Sequence, residues 1–292
     1  MKLKIGYQGI KGSYSFEAAT NLFKSQDSDF INFARFDEVF TAVENGTLDR
    51  GVIPLENSYA GRVAEIHNLF PSMQCYIIAE HILPVRHNLL MAKGGSIKDI
   101  KTIISHEQAL MQCSKNITQT FGSGTELKSF SNTAASALHV ANAKDKTLAC
   151  IASLQAAAIY DLEVIKTNFA DSDKNYTTFI VISKEIEPLS VKDEKIITSI
   201  LFTVRNIPAA IYKAIGGFAT NNVDLLKIES YIPGGISSNS AQFFLSFYGH
   251  PSEQRVSLAM EELGFFATKT KLLGYYKADE KRGDGNNQKP EK

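Results

Sequence analysis

Short apolar runs alternate with helix-like stretches from residue 3 to about residue 183, and this alternation restricts the fold more than any other feature. Residues 3–7, 77–84 and 178–183 are rich in apolar and β-branched side chains and predict strands. Residues 14–23, 107–121 and 134–143 have the apolar spacing of helices, the first opened by Ser13 as an N-cap. Strands that alternate with helices favour an α/β fold with a largely parallel sheet.

The character of the sequence changes at residues 184–196, which are charged, contain Pro188 and lack periodicity. The 292 residues exceed the roughly 100–200 residues of one domain, so we predict a first domain over residues 1–183 and a linker over 184–196. Residues 197–277 follow a βαββαβ order and predict a second, ferredoxin-like domain. The charged and polar residues 278–292 are predicted to be a disordered tail.

Charge and hydropathy exclude several classes of protein. The 31 Lys and Arg balance the 31 Asp and Glu, so the basic surplus of nucleic-acid or anionic-membrane binders is missing. No run approaches the ~18 apolar residues of a membrane span. The strand pattern starts directly at the N-terminus, so no signal peptide is expected. We therefore expect a cytoplasmic protein without nucleic-acid or membrane partners.

The three cysteines do not form a metal or disulfide pattern. Cys75, Cys113 and Cys150 belong to no CxxC pair and lie among apolar residues. They predict small buried hydrophobic side chains, and no metal site is expected.

Four polar segments follow or precede predicted strands, where α/β proteins place ligand sites. They are residues 8–15, 53–63, 105–110 and 175–179. Each also has a structural interpretation: the glycines of the first form turns, Asn57 or Ser58 caps a helix, His106 is a capping histidine, and the threonine pair reflects strand propensity. Their order and spacing together are more specific than any one of them.

Taken in order, the segments resemble prephenate dehydratase over residues 3 to about 277. The markers are the GxxGSYS-like opening at 9–15, the PxENSxxG segment at 54–61, the SHxQ segment at 105–108 and an NxTRF-like region at 175–179. The second domain resembles an ACT domain. Residues 208–211 stand where that family has its GAL-type helix start, and residues 229–232 stand where it has ESRP.

The resemblance implies a bilobed catalytic domain like a type II periplasmic binding protein, with the substrate in its cleft. Lobe one is expected near residues 1–78 with 178–183, and lobe two over 79–177. The implied enzyme is a carbon-oxygen lyase (a hydro-lyase) of phenylalanine biosynthesis that converts prephenate to phenylpyruvate without metal or cofactor. It also implies phenylalanine as an allosteric effector and a homodimer or homotetramer.

The resemblance also implies roles for individual residues. Thr177 is the expected catalytic donor to the leaving hydroxyl. Glu56 is expected to have a structural role or to contact the residues that bind substrate, without binding substrate itself. The expected substrate-binding residues are Ser13, Tyr14, Asn57, Ser58, Arg62, Arg86, Ser105, His106, Gln108, Thr178 and Phe179. The expected effector-binding residues are Asn206, Ala209, Ala210, Ile211, Glu229 and Ser230.

The sequence departs from the family at two functional positions. Thr178 replaces an arginine suited to binding a carboxylate, and our hypothesis is that Arg62 or Arg86 supplies the missing charge. Ala209 replaces a glycine and Tyr231-Ile232 replace Arg-Pro, which predicts weakened but retained phenylalanine binding. Alternative functions are an arogenate dehydratase and a catalytically weakened cleft-binding or regulatory protein. A transporter's solute-binding protein also fits the fold, but the expected lack of a signal peptide disfavours it.

Overall fold

The computed structural model describes residues 2–190, 195–231 and 241–283. Up to residue 105 its elements are β1 (Leu3–Gln8), α1 (Tyr14–Leu22), β2 (Ser28–Phe33), α2 (Phe36–Glu44), β3 (Arg50–Asn57), β4 (Gly61–Arg62), α3 (Ala64–Leu69), β5 (Tyr76–Pro84), β6 (Asn88–Met91), a short 3-10 helix (Ile97–Asp99) and β7 (Thr102–Ser105). Then follow α4 (Glu107–Gln112), α5 (Ser114–Phe121), β8 (Glu126–Ser129), α6 (Thr133–Ala143), β9 (Leu148–Ala152), α7 (Leu154–Ile159), β10 (Glu163–Lys166) and β11 (Tyr176–Ser183). The remaining elements are β12 (Ile196–Val204), α8 (Ala210–Thr220), β13 (Leu225–Tyr231), β14 (Gln242–Tyr248), α9 (Gln254–Phe266) and β15 (Ala267–Lys277).

The helix predicted over residues 107–121 is two helices, α4 and α5, that meet at Cys113. No proline or glycine marks the break in the sequence. Instead, the Asp171 carboxylate accepts hydrogen bonds from the backbone N–H groups of Lys115 (3.0 Å) and Asn116 (2.9 Å) and so caps the first turn of α5. A tertiary contact therefore starts the second helix.

The chain divides into two compact units, and the first consists of Met1–Val39, Glu56–Gly61 and Leu83–Phe179. In this unit β1 pairs in parallel with β2, and a five-stranded sheet has the order β10-β6-β9-β7-β8. Strand β9 is parallel to β7 and β7 to β8, whereas β6 is antiparallel to both β9 and β10. The predicted parallel arrangement therefore holds for β9, β7 and β8, whereas β6 runs in the opposite direction to its two neighbours.

Both faces of the three central strands, β6, β9 and β7, are buried, which explains their nearly continuous apolar sequences. Alternate residues of β6 enter different cores: Leu89 and Met91 join one cluster, and Leu90 joins the other. Cys113 belongs to the first cluster and Cys150 to the second. Together with Cys75, which is 2% exposed, they confirm the prediction of small buried hydrophobic side chains.

The second unit consists of Phe40–Leu55, Arg62–Ile82 and Ile180–Lys292. Its sheet runs in the order β13-β14-β12-β15-β5-β11-β3. The βαββαβ order of the last six elements and the strand order β13-β14-β12-β15 confirm the predicted ferredoxin-like arrangement. Its core contains Phe202, Phe218 and Phe247. The lobe boundaries expected from the sequence differ from those of the two units and remain a prediction.

One backbone contact joins the ferredoxin-like part of the second unit to β5. Strand β15 pairs with β5 at Gly274 and Ile77. Gly274 has a φ of +155°, and a Cβ atom there would lie 2.0 Å from the Ile77 carbonyl oxygen. Only glycine allows the two strands to approach this closely.

The start of the predicted tail is folded, which differs from the disorder expected from residue 278. Arg282 makes two hydrogen bonds of 2.7 Å to the Glu80 carboxylate, which is 6% exposed, and Asp279 accepts a hydrogen bond from the Ile82 N–H. A buried carboxylate needs a cationic partner, and the tail supplies it. Residues 284–292 lie outside the described residues. Within the part of the chain that the structure describes, none of the helices is long and apolar enough to span a membrane.

Candidate active site

Two of the predicted segments, the Asn57 loop and the Asn175–Thr177 segment, are joined by side-chain hydrogen bonds in the first unit. Asn57 Nδ2 lies 2.8 Å from Asn175 Oδ1 and 3.0 Å from Thr177 Oγ1. Asn57 Oδ1 accepts hydrogen bonds of 3.0 Å from the N–H groups of Tyr59 and Ala60. Asn57 is therefore not a helix cap, and its side chain connects a tight turn to the Thr177 hydroxyl.

Ser58 strengthens the same junction through the backbone. Its N–H donates to the Tyr176 carbonyl (2.9 Å), and its hydroxyl donates to the Lys174 carbonyl and accepts from the Tyr176 N–H, both over 3.0 Å. Helix α3 begins several residues later, after Val63, without a side-chain cap. Ser58 thus holds the two segments in register, and Glu56 lies half-buried two residues before it on β3.

The loop after β1 contributes Ser13 and Tyr14. Ser13 Oγ accepts from the Phe16 N–H over 3.2 Å, which confirms it as the N-cap of α1. The Tyr14 hydroxyl lies 2.9 Å from the Arg86 carbonyl oxygen and 3.0 Å from His87 Nδ1. Gly12, with φ +84°, packs against α7, where a Cβ atom would meet Ala156 at 3.1 Å. Gly12 therefore forms the close turn that leads into α1 and Tyr14.

The third predicted segment, residues 105–108, forms hydrogen bonds to β9 and within α4. Ser105 is fully buried and donates to the Ile151 carbonyl over 2.7 Å. His106 is exposed, and its Nδ1 accepts from the Gln108 N–H (3.3 Å), so it caps α4. Among the described residues, no hydrogen bond connects Ser105, His106 or Gln108 to the Thr177 group.

Two residues that the sequence did not suggest, His87 and Gln112, join Asn57, Asn175 and Thr177 in one hydrogen-bonded group, the Thr177 cluster. His87 Nε2 lies 2.8 Å from Gln112 Oε1, and Asn175 Nδ2 donates to the same oxygen over 2.8 Å. His87 is 3% exposed and Asn175 is 1% exposed. Gln112 stands four residues after Gln108 on α4, and this helical spacing is the one signal in the sequence that could have pointed to it.

The remaining predicted site residues of the first unit are Arg86, Thr178 and Phe179. Arg86 Nη1 donates to the Asp173 carbonyl, and its guanidinium carbon lies 5.8 Å from the centre of the Tyr176 ring. Thr178 and Phe179 are buried in β11 at 8% and 1% exposure. Arg86 is therefore a cation that contacts the segment carrying Thr177.

Burial sets the ionisation of the side chains around Thr177. It lowers the pKa of His87, an effect that the hydrogen bond to Gln112 partly opposes. It raises the pKa of Tyr14 well above the ordinary value, with Glu17 and Cys113 adding to the shift and Arg86 acting against it. Burial also raises the pKa of Cys113 to about 12. His87, Tyr14 and Cys113 are consequently neutral near pH 7.

The expected effector residues and Arg62 lie in the second unit. Ala209 has φ +58° at the start of α8, where Ala210 and Ile211 form the first turn, and Asn206 is exposed. Arg62 Nη1 donates to the Ser230 carbonyl over 3.1 Å and lies 3.9 Å from Glu229 Oε2. Strand β13 therefore holds Arg62 in this structure. Tyr231 ends that strand, and Ile232 lies outside the described residues.

The family model for prephenate dehydratase matches residues 5–187. The chain belongs to the prephenate dehydratase family. The arogenate dehydratase 2 of Petunia hybrida is 33% identical, with 95% of this chain and 72% of that protein covered. The bifunctional N-acyl-homoserine lactone acylase/prephenate dehydratase of Komagataeibacter europaeus is also 33% identical, with 94% and 95% covered. Both matches extend beyond residue 187 into the ferredoxin-like part of the chain.

A solved structure of prephenate dehydratase from Arthrobacter aurescens, in complex with L-Phe, superposes with a TM-score of 0.85. It is 24% identical and covers 94% of this chain and 90% of that protein. The sequence-based recognition of the family and the predicted fold class, an α/β domain followed by a ferredoxin-like unit, are therefore confirmed. No group of three or more histidine, cysteine or acidic residues within the described ranges could hold a metal ion.

Proposed function

We propose that this chain is a prephenate dehydratase, which converts prephenate to phenylpyruvate, and that Thr177 is its catalytic residue. In this reaction the bond to the ring carboxylate breaks and carbon dioxide leaves. The released electron pair makes the ring aromatic, and the C–O bond on the opposite side breaks with its electrons on oxygen. The expelled hydroxide then takes a proton from solvent and becomes water.

The hydrogen bond from Asn57 to Thr177 carries this proposal. Since the Thr177 oxygen accepts from Asn57 Nδ2 over 3.0 Å, its own hydrogen is available to the leaving oxygen. A threonine hydroxyl does not ionise near pH 7, so it contributes a positioned hydrogen bond that strengthens as charge develops on the oxygen. Aromatisation supplies the driving force.

Substrate binding is proposed for Arg86 and for the polar and aromatic side chains of the four motif segments. Arg86 is the proposed anchor for one substrate carboxylate in place of the family arginine at position 178, because it donates to the Asp173 carbonyl and lies over the Tyr176 ring. Ser13, Tyr14, Asn57, Ser58, Ser105, His106, Gln108, Thr178 and Phe179 remain proposed substrate-site residues. Glu56 keeps its proposed supporting role.

Regulation by phenylalanine is proposed for the ferredoxin-like unit, as an ACT domain that uses Asn206, Ala209, Ala210, Ile211, Glu229 and Ser230. The support is the βαββαβ fold of this unit and the L-Phe complex of the Arthrobacter aurescens protein. A homodimer or homotetramer remains the expected assembly.

Arogenate is the second candidate substrate, because the Petunia hybrida relative is an arogenate dehydratase. The test is a parallel assay of the purified protein on prephenate and arogenate, which follows phenylpyruvate and phenylalanine. An N-acyl-homoserine lactone is a third candidate substrate, because the Komagataeibacter europaeus relative is a bifunctional N-acyl-homoserine lactone acylase/prephenate dehydratase. Turnover of prephenate that is faster than turnover of the other candidate substrates supports the proposal. Binding of prephenate without any turnover would instead identify a cleft-binding protein.

A further inference from the structure

The donor and acceptor roles around Thr177 are fixed by the turn after β3. Asn57 Oδ1 receives two backbone N–H groups, those of Tyr59 and Ala60, each over 3.0 Å. A backbone N–H can only donate, so the atom at this position must be the amide oxygen of Asn57. The Asn57 nitrogen then faces Asn175 and Thr177 as a donor.

The same logic extends from Asn57 through two further side chains. Since Asn57 donates to Asn175 Oδ1 over 2.8 Å, the Asn175 nitrogen is the atom that donates to Gln112 Oε1, also over 2.8 Å. Gln112 Oε1 is therefore an acceptor, and the His87 Nε2 that lies 2.8 Å from it must carry a hydrogen. In the neutral ring Nδ1 then carries no hydrogen, and the one hydrogen of the Tyr14 hydroxyl is shared between Nδ1 (3.0 Å) and the Arg86 carbonyl oxygen (2.9 Å).

Gln112 is held in place by the segment that follows β10. The backbone carbonyl oxygen of Gln112 accepts a hydrogen bond from the Asp171 N–H over 2.8 Å, while the Asp171 carboxylate caps α5. Asn116 Nδ2 adds hydrogen bonds to the carbonyls of Phe169 (3.2 Å) and Ala170 (3.1 Å). The Gln112 side chain therefore extends from a fixed helix end.

At the other end of the chain of hydrogen bonds is the Thr177 hydroxyl. It accepts from Asn57, and within residues 2–190, 195–231 and 241–283 its hydrogen has no acceptor. We propose that Gln112 and His87 are positioning residues, which hold Asn175 and Asn57 in the one orientation that leaves the Thr177 hydroxyl as a donor to substrate. This inference rests on the proposed function of Thr177 and adds two residues to it.

The test compares two substitutions of one residue. Gln112→Glu retains an oxygen that accepts from both Asn175 and His87, whereas Gln112→Leu removes it and frees the Asn175 amide to rotate. Loss of a buried acceptor corresponds to about 1–3 kcal/mol, so we expect Gln112→Leu to lower kcat about 10- to 100-fold and to leave KM nearly unchanged. Gln112→Glu is expected to retain most of kcat.

The matched control is Gln155→Leu. Gln155 lies on α7 and donates to Thr20 over 3.0 Å, outside the hydrogen-bonded chain. Gln155→Leu makes the same chemical change as Gln112→Leu, and we expect its kcat to stay within about twofold of that of the unsubstituted protein. Equal losses of kcat in Gln112→Leu and Gln112→Glu, or no loss in Gln112→Leu, would overturn the proposal.

A second readout does not depend on turnover. Nitrogen NMR of the histidine rings in the unsubstituted protein should show His87 with its hydrogen on Nε2, and Gln112→Leu should weaken that preference. A hydrogen on Nδ1 in the unsubstituted protein overturns the proposal, even where Gln112→Leu does not fold. If neither prephenate nor arogenate is turned over, the proposed function fails, and the NMR result alone decides the roles of Gln112 and His87.

Discussion

Thr177 and Thr178 are neighbours on β11, both 8% exposed, and their side chains leave opposite faces of the strand. Only Thr177 reaches Asn57. The residue at the family's arginine position is therefore not interchangeable with the proposed donor. A charge that compensates for Thr178 must come from another element of the chain.

Replacement of Thr177 by valine removes the hydroxyl and keeps the shape. We expect kcat for prephenate to fall ~100- to 1000-fold, as is typical for the loss of one positioned donor. Thr177→Ser should retain more activity because it keeps the hydroxyl. Thr102→Val is the control, since the Thr102 hydroxyl donates to Glu126 on the surface of another strand. Unchanged turnover in Thr177→Val would remove the basis of the proposed mechanism.

The two candidate anchoring arginines should behave differently. Arg86→Ala is expected to raise KM about 10- to 100-fold, the range for a lost hydrogen bond to a charged group, and Arg86→Lys should recover part of it. Arg62→Ala should change KM little and should alter the response to phenylalanine, because strand β13 binds Arg62 at Ser230 and Glu229. Steady-state kinetics with and without phenylalanine measure both effects. Equal KM changes in the two variants would contradict this division.

The ion pair of Arg282 with Glu80 should be a major contributor to stability. Arg282→Ala leaves the Glu80 carboxylate buried without this partner, and we expect unfolding to become easier by about 3–5 kcal/mol. Urea unfolding measures the difference. The control is Arg35→Ala, whose salt bridge to Asp37 is largely exposed and should contribute at most about 1 kcal/mol. Similar losses for the two variants would show that the folded start of the tail adds little.

Ala209 should be a site of backbone strain. Its φ of +58° lies in the left-handed region, which is unfavourable by roughly 1–2 kcal/mol for residues with a Cβ. Ala209→Gly is therefore expected to raise the free energy of unfolding, by about 1 kcal/mol after the larger entropy of the unfolded chain is included. Ala219→Gly, at an exposed position within α8, should instead lower it by about 0.5–1 kcal/mol. A lower stability of Ala209→Gly would refute the assignment of strain.

His87 should make stability depend on pH. Burial lowers its pKa in the folded state, so in the window below the ordinary value of ~6.5 the unfolded chain binds more protons and stability decreases as pH falls. Tyr14 and Cys113, which are near His87 and Gln112, stay protonated in this window because burial raises their pKa values, and Arg86 stays cationic. Urea unfolding at several pH values across this window should show that the free energy of unfolding changes less steeply with pH in His87→Gln than in the unsubstituted protein. Identical slopes would mean that His87 does not contribute.

Local pattern was sufficient for the elements and much of the candidate site. The alternation of strands and helices, the Ser13 cap and the βαββαβ order were all predicted, because they depend on side chains close together in sequence. The family motifs also selected Asn57 and Thr177, and the NxTRF-like region begins at Asn175. The break at Cys113 and the folded start of the tail could not be predicted, since each depends on a distant carboxylate, Asp171 or Glu80.

The sequence by itself determined the family, the fold class and which residue types are present for the chemistry. Tertiary structure alone decided which of them meet: His87 and Gln112 join the Thr177 cluster, whereas His106 caps its own helix. The reason is that hydrogen bonds have short range and strict direction. Residues 57, 87, 112 and 175 are far apart along the chain, and only the packing of their strands and helices brings a donor within 3 Å of its acceptor.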